Sequence, residues 1–125
     1  MAYSHNWESQ GVHLKFWGST SGNEVDAAID LIRHSPDLPK LTYVISDFLG
    51  VDEFTVTSYQ TLVIAAHDHW IKDIANRQLK IALVSSKPEE LAVFDLYANS
   101  PLIRDTFEVR TFTELAEARN WVVLA

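Results

Sequence analysis

The chain has 125 residues, 47 % of them hydrophobic, the length of one domain with apolar content enough for a core that needs no metal or disulfide staple. It contains no cysteine, which excludes thiol catalysis, disulfides and thiolate metal sites and fits a reducing cytoplasm. A formal charge of −7 argues against nucleic acid or an anionic membrane as partner, no apolar run approaches the roughly 20 residues of a membrane span, and MAYSHNWESQ lacks the pattern of a signal peptide.

Tyr3 to Glu8 alternates weakly, and Val12, Leu14 and Phe16 alternate clearly. With Gln10-Gly11 between them, the two runs predict an antiparallel hairpin whose second strand closes at Trp17-Gly18. Ser21 and Glu24 form a capping box. Val25, Ala28, Ile29 and Ile32 then keep helical spacing until Ser35-Pro36-Asp37-Leu38-Pro39 stops the helix.

Leu41 to Ile45 is β-rich and apolar enough for a central strand, ending at Ser46-Asp47. A loop with acids and hydroxyls follows. Thr57 to Gln60 reads as a second capping box, opening a helix to about Asn76. At 100° per residue, Tyr59, Val63, Ala66, Trp70 and Ile74 form one stripe, taken as the one that covers the sheet. Ile64, Ile71 and Ala75 lie beside it, which makes the apolar arc wide enough for burial on two sides. These three are the predicted interface of a homodimer.

Leu79 to Val84 is the next strand. Ser86-Lys87-Pro88-Glu89 reads as a third capping box, before a helix striped by Leu91, Phe94 and Ala98 and ended by Asn99-Ser100-Pro101. Phe107 to Phe112 is a last strand. Thr113 caps a final helix with Leu115, Ala118 and Val122 inward. The order β-β-α-β-α-β-α-β-α predicts an α/β fold: a mixed, mostly parallel five-stranded sheet with four helices, one domain over residues 1–125.

In open α/β sheets, sites form where strand ends feed helix N-termini. That rule puts the candidate site at Asp47, Thr55, Thr57 and Ser58. The two hydroxyls at the helix start suit an anion or a phosphate, or plain N-capping by Thr57. Asp47, Asp52 and Glu53 lack the spacing of a catalytic pair. His67 and His69 stand about 200° apart on a helix and cannot chelate one ion, so no metal site is expected. His5 and His13 sit on the hairpin in an unknown register. Trp7, Trp17, Trp70, Trp121 and Tyr97 suit a pocket lining or core packing. There is no phosphate-binding loop or nucleophile elbow, and no cofactor or catalytic residue is expected.

Four segments in this order resemble the STAS-like group, and more closely its SpoIIAA-like branch of small bacterial proteins. FWGSTSGNEV matches a G-x-x-(T/S)-x-x-E approach to the first helix. TYVISDFLGV resembles the central strand with its terminal acid, and KIALVSS the fourth strand. FTELAEARNWV resembles the closing helix, through Phe112, Glu117, Ala118 and Trp121. The resemblance implies helices mostly on one face of the sheet and a non-enzymatic regulatory or protein-interaction module in the cytoplasm. Anti-sigma-factor antagonists of this group carry a phosphorylatable serine in a D-S-x-G turn. Here that stretch is Phe54-Thr55-Val56-Thr57-Ser58, so the switch does not transfer. The alternative reading is a carrier of a small apolar or anionic ligand, lipid included, held between the sheet edge and the second helix.

Overall fold

A computed structural model describes residues 2–124. Five strands, β1 (Tyr3–Trp7), β2 (Gly11–Ser21), β3 (Tyr43–Thr55), β4 (Lys80–Val84) and β5 (Glu108–Phe112), lie side by side in sequence order. The β1–β2 pair is antiparallel and the rest are parallel. A sequential parallel order makes every right-handed crossover return on the same side. Helices α1 (Gly22–Arg33), α2 (Ser58–His69) and α3 (Pro88–Asn99) therefore share one face with a short α4 (Pro101–Arg104). Helix α5 (Leu115–Val122) takes the other.

Side-chain alternation divides the sheet between two cores. Val12, Leu14 and Phe16 of β2, Val44 and Phe48 of β3, and Ile81 and Leu83 of β4 meet α1 to α4. Tyr43, Ile45, Ala82 and Val84 meet Ala118, Trp121 and Val122 of α5. The alternation in the sequence was read correctly in both hairpin strands, and the apolar composition of Leu41 to Ile45 correctly marked a central strand.

Two strands are longer than their patterns suggest. β2 continues past Trp17 to Ser21, and β3 past Asp47 to Thr55, and the two extensions pair with each other from Trp17–Gly50 to Ser21–Thr55. The stretch expected to be a loop after Asp47 is strand. Register shifts between Lys15 and Trp17 and between Gly18 and Ser19 break the period-two pattern, and hid it. Gly18 has φ +68°, which only glycine adopts without strain. Phe48, within this supposed loop, stacks on Phe16 at a centroid distance of 4.5 Å.

Both capping boxes at the starts of α1 and α2 are present. Glu24 N–H donates to Ser21 Oγ at 3.2 Å, and Gln60 N–H donates to Thr57 Oγ1 at 3.1 Å. Thr57→Ala is expected to cost about 1 kcal/mol in urea unfolding, the usual worth of such a cap. The other two predicted caps differ. Lys87 is the N-cap of α3, and Glu114 that of α5, and neither makes a side-chain cap bond. Ser85 replaces the expected Ser86: its Oγ accepts from Lys87 N–H and donates to Glu90.

Helix α2 stops at His69, seven residues before the expected Asn76, and continues as tight turns with bonds from Lys72 N–H to His69 C=O and from Ile74 N–H to Ile71 C=O. Its faces are the reverse of the expectation. Ile64 (6 % exposed) and Ala75 (7 %) are buried, and Ile71 packs half-buried on the same core. Tyr59 (77 %) and Trp70 (73 %) stand in solvent with Leu62 and Ile74. The predicted interface residues are core residues. Thr61 and Asp68, the polar members of the inner face, bond within the fold and so leave no mark of an outer surface.

Candidate functional site

The structure separates the residues grouped at the predicted site. Asp47 is buried in mid-strand, and Thr55 stands eight residues further along β3, about 26 Å at roughly 3.3 Å per residue. Asp47 also points to the α5 face, away from α2. Thr55, Thr57 and Ser58 do lie together at the start of α2. Thr55 Oγ1 donates to Thr20 C=O at 3.4 Å, and the Thr57 hydroxyl is engaged in the cap. Ser58 is exposed at the first helical position.

Asp47 belongs instead to a polar chain that runs beside α5. Arg119 of α5 forks onto Glu8, Nη1 to Oε1 at 3.0 Å and Nη2 to Oε2 at 2.7 Å. The Tyr43 hydroxyl donates to the same carboxylate. Hydrogen bonds from the Arg119 guanidinium hold the Glu8 carboxyl down at about 2, against the opposing effect of burial. Arg119 Nη2 also lies 3.3 Å from His13 Nδ1. A guanidinium only donates, so Nδ1 accepts and Nε2 carries the proton, which it donates to Asp47 at 3.0 Å. Both ring nitrogens are engaged, and neither is free to take a substrate proton. The chain is a clamp between the hairpin, the central strand and α5.

A second polar group is buried on the opposite face. Arg33 of α1 donates from Nε to Asp68 Oδ1 at 2.8 Å, and its Nη2 lies 2.8 Å from Asp26 Oδ1. The Tyr97 hydroxyl of α3 donates to Asp68 Oδ2 at 2.6 Å. Burial pushes the Asp68 carboxyl up, and the Arg33 charge holds it back. Burial also drives Tyr97 well above its usual value, so the phenol keeps its proton and stays a donor. One ion pair and one hydroxyl thus tie three helices together.

These groups form part of the wall of a cavity of about 90 Å³ between the sheet and the helices. The rest of the wall is apolar apart from Ser46 and Thr61, and includes Val25, Ile29 and Ile32 of α1, Val44 and Phe48 of β3, Ile64 of α2, Ile81 and Leu83 of β4, and Phe94 of α3. The half-buried Ile29, Val56 and Val93 stand where it approaches the surface. Neither polar network was visible in the sequence, since Glu8 and Arg119 are 111 residues apart and Arg33 and Asp68 are 35 apart. The one available signal was a charged residue inside each apolar arc, Arg33 in α1 and Asp68 in α2.

The histidines point apart. His67 Nδ1 donates to Asp26 on α1, and His69 Nδ1 to Leu102 C=O on α4. His5 lies opposite Leu14 and His13 opposite Asn6, so the two rings occupy opposite faces of the hairpin. His5 donates to Ala28 C=O at 2.7 Å. Of the five aromatic residues suited by sequence to a pocket lining, Trp121 and Tyr97 are core and Tyr97 alone of the five lines the cavity, whereas Trp7, Trp17 and Trp70 are exposed.

No known family model matches the chain, and no curated protein matches it in sequence. Among solved structures the chain is similar to that of the Bacillus cell fate determinant SpoIIAA in the phosphorylated form. The two are 17 % identical over 97 % of this chain and 99 % of that one, with a TM-score of 0.58. The fold is therefore the SpoIIAA-like, STAS-type α/β fold. No helix among the described residues is long and apolar enough to cross a membrane.

Proposed function

We propose that this chain is a non-enzymatic regulatory module that binds another protein through the outer face of α2. One observation carries the reading. Tyr59 and Leu62 on α2, and Trp70 and Ile74 in the turns that continue it, are exposed on a segment whose inner side chains are already packed in the core. Apolar patches of this kind on a folded domain are commonly binding surfaces, and aromatic side chains are the usual anchors in them. The fold shared with a cell fate determinant supports a regulatory role. Thr57 and Ser58 begin the same helix, so a change of charge there would be felt along this surface.

The test uses a photo-crosslinking residue at position 59 or 74, followed by binding measurements with the purified protein it captures. Trp70→Glu should leave the far-UV circular dichroism unchanged and weaken that binding by about 2 kcal/mol or more, the scale of an aromatic anchor. A captured partner that binds Trp70→Glu as tightly as the native chain would sink the reading.

The 90 Å³ cavity favours a second reading, a carrier of a small apolar molecule. An anionic ligand fits it poorly, because the Arg33 guanidinium in its wall already serves three carboxylates, Asp26, Asp30 and Asp68. A ligand that binds only the native state raises the melting temperature. This reading requires a rise with benzene or 1-hexanol that persists in Trp70→Glu.

A further inference from the structure

β1 ends the sheet, so one side of its backbone has no strand beside it. Ladder parity decides which groups face outward. Trp17 N–H donates to Ala2 C=O at 3.0 Å, and Glu8 N–H donates to Gly11 C=O at 2.8 Å. These bonds fall in the same series as the Ser4–Lys15 and Asn6–His13 pairs. Hydrogen-bonded pairs alternate with non-bonded ones along an antiparallel ladder. The even-numbered residues of β1 therefore bond β2, and the N–H and C=O groups of His5 and Trp7 point out of the edge.

Nothing in the strand discourages another strand from pairing there. Natural edges are blunted by lysine, proline, charge or a bulge. Tyr3–Trp7 is YSHNW, with none of those residues and an unbroken register. The opposite edge differs, since β5 carries Glu108 and Arg110. Beside β1, an open groove is lined by His5, Trp7, Leu31 and Pro36 together with Asp30, His34 and Ser35, with Trp7 45 % exposed and its ring stacked near parallel on His5.

We propose that this edge pairs with the β1 edge of a second copy of the chain, in antiparallel order about a twofold axis at Asn6. An antiparallel edge contact is self-complementary, so one strand supplies both sides. This register sets His5 against Trp7 of the second copy. The outward groups of these two residues then make four hydrogen bonds, and each indole meets an imidazole across the axis. Charge agrees with it. Asn6 faces Asn6, and Glu8 faces Ser4, so no like charges oppose each other in a chain that carries −7. Glu8 is neutralised from within by Arg119, and Asp30, in the groove wall, lies 3.4 Å from Arg33 Nη1. The product is a continuous ten-stranded sheet that leaves the outer face of α2 free in both copies.

The full chain should sediment as a dimer, with exchange at the His5 and Trp7 amides slowing as concentration rises. Trp7→Pro removes an outward N–H and none of the bonds to β2. It should leave the circular dichroism unchanged and weaken the dimer about tenfold for each bond lost. Trp7→Lys, a natural type of edge guard, should also give a monomer. If Trp7→Pro fails to fold, Trp7→Lys and the amide exchange decide. A chain monomeric at every concentration would overturn the proposal. So would a dimer that survives both substitutions, or one broken by Trp70→Glu instead.

Discussion

Asp68→Ala is expected to destabilise the fold by about 3–5 kcal/mol, the range seen when one partner of a buried ion pair is removed. The cost does not measure how much the native pair contributes. Its source is what the substitution strands: the Nε–H of Arg33, whose side chain is 5 % exposed, and the Tyr97 hydroxyl, each left without the Asp68 oxygen it donates to. Asp26 stays 2.8 Å from Arg33 but is itself shared with His67. Asp68→Asn should cost less, because the amide oxygen still accepts one of the two bonds. Replacing Arg33, Asp68 and Tyr97 together by apolar residues of similar volume should recover part of the loss. Urea midpoints for the three variants test the order. A single Asp68→Ala variant as stable as the native chain would mean that the pair is solvated and that α1, α2 and α3 are held by apolar contact alone.

Ile64→Lys combined with Ile71→Glu is expected to unfold the chain. Ile64 is buried in the cavity wall, and an ammonium placed there, like the carboxylate placed at position 71 of the same wall, is taken out of water. The lost isoleucine packing alone is worth about 2–5 kcal/mol. That loss, before any charge burial is added, is a large fraction of a typical domain's stability. The matched control is Tyr59→Ser with Ile74→Lys, which alters the exposed stripe of the same segment and should be nearly neutral. Circular dichroism separates the two. A folded Ile64→Lys, Ile71→Glu variant would return those residues to the surface and α2 to the facing that its sequence first suggested.

That reversal shows where local pattern stops being informative. Ser21 and Thr57 were readable as caps because a capping box is made by four neighbouring residues. β2 was readable because Val12, Leu14 and Phe16 alternate against polar neighbours. α2 offers no such contrast. Tyr59, Val63, Ala66 and Trp70 trace one stripe and Ile64, Ile71 and Ala75 another, and only the packing of α1 and α3 selects between them. The extension of β3 was concealed in a similar way. Gly50, Asp52 and Glu53 have the composition of a loop, and what makes them strand is pairing with residues some 34 positions earlier. Asp47 was recognised as an acid at a central strand, but its partner His13 lies on β2 and the clamp behind it on α5. The residues expected to form one site thus went to two places, Asp47 to the α5 side of the sheet and the three hydroxyls to the start of α2.

The order β1-β2-β3-β4-β5 also bears on how the chain is assembled as it is made. No strand has to be inserted between two that are already joined, and each one finds its neighbour among residues synthesised earlier. The hairpin needs only local contacts, and every later step closes one β-α-β loop onto an existing edge, at an entropic cost that grows slowly with loop length. α5 comes last and covers β3 to β5 from the other side, sealing the smaller core only after the larger one is in place. Growth can run in one direction from the hairpin, with one growing edge waiting at each stage.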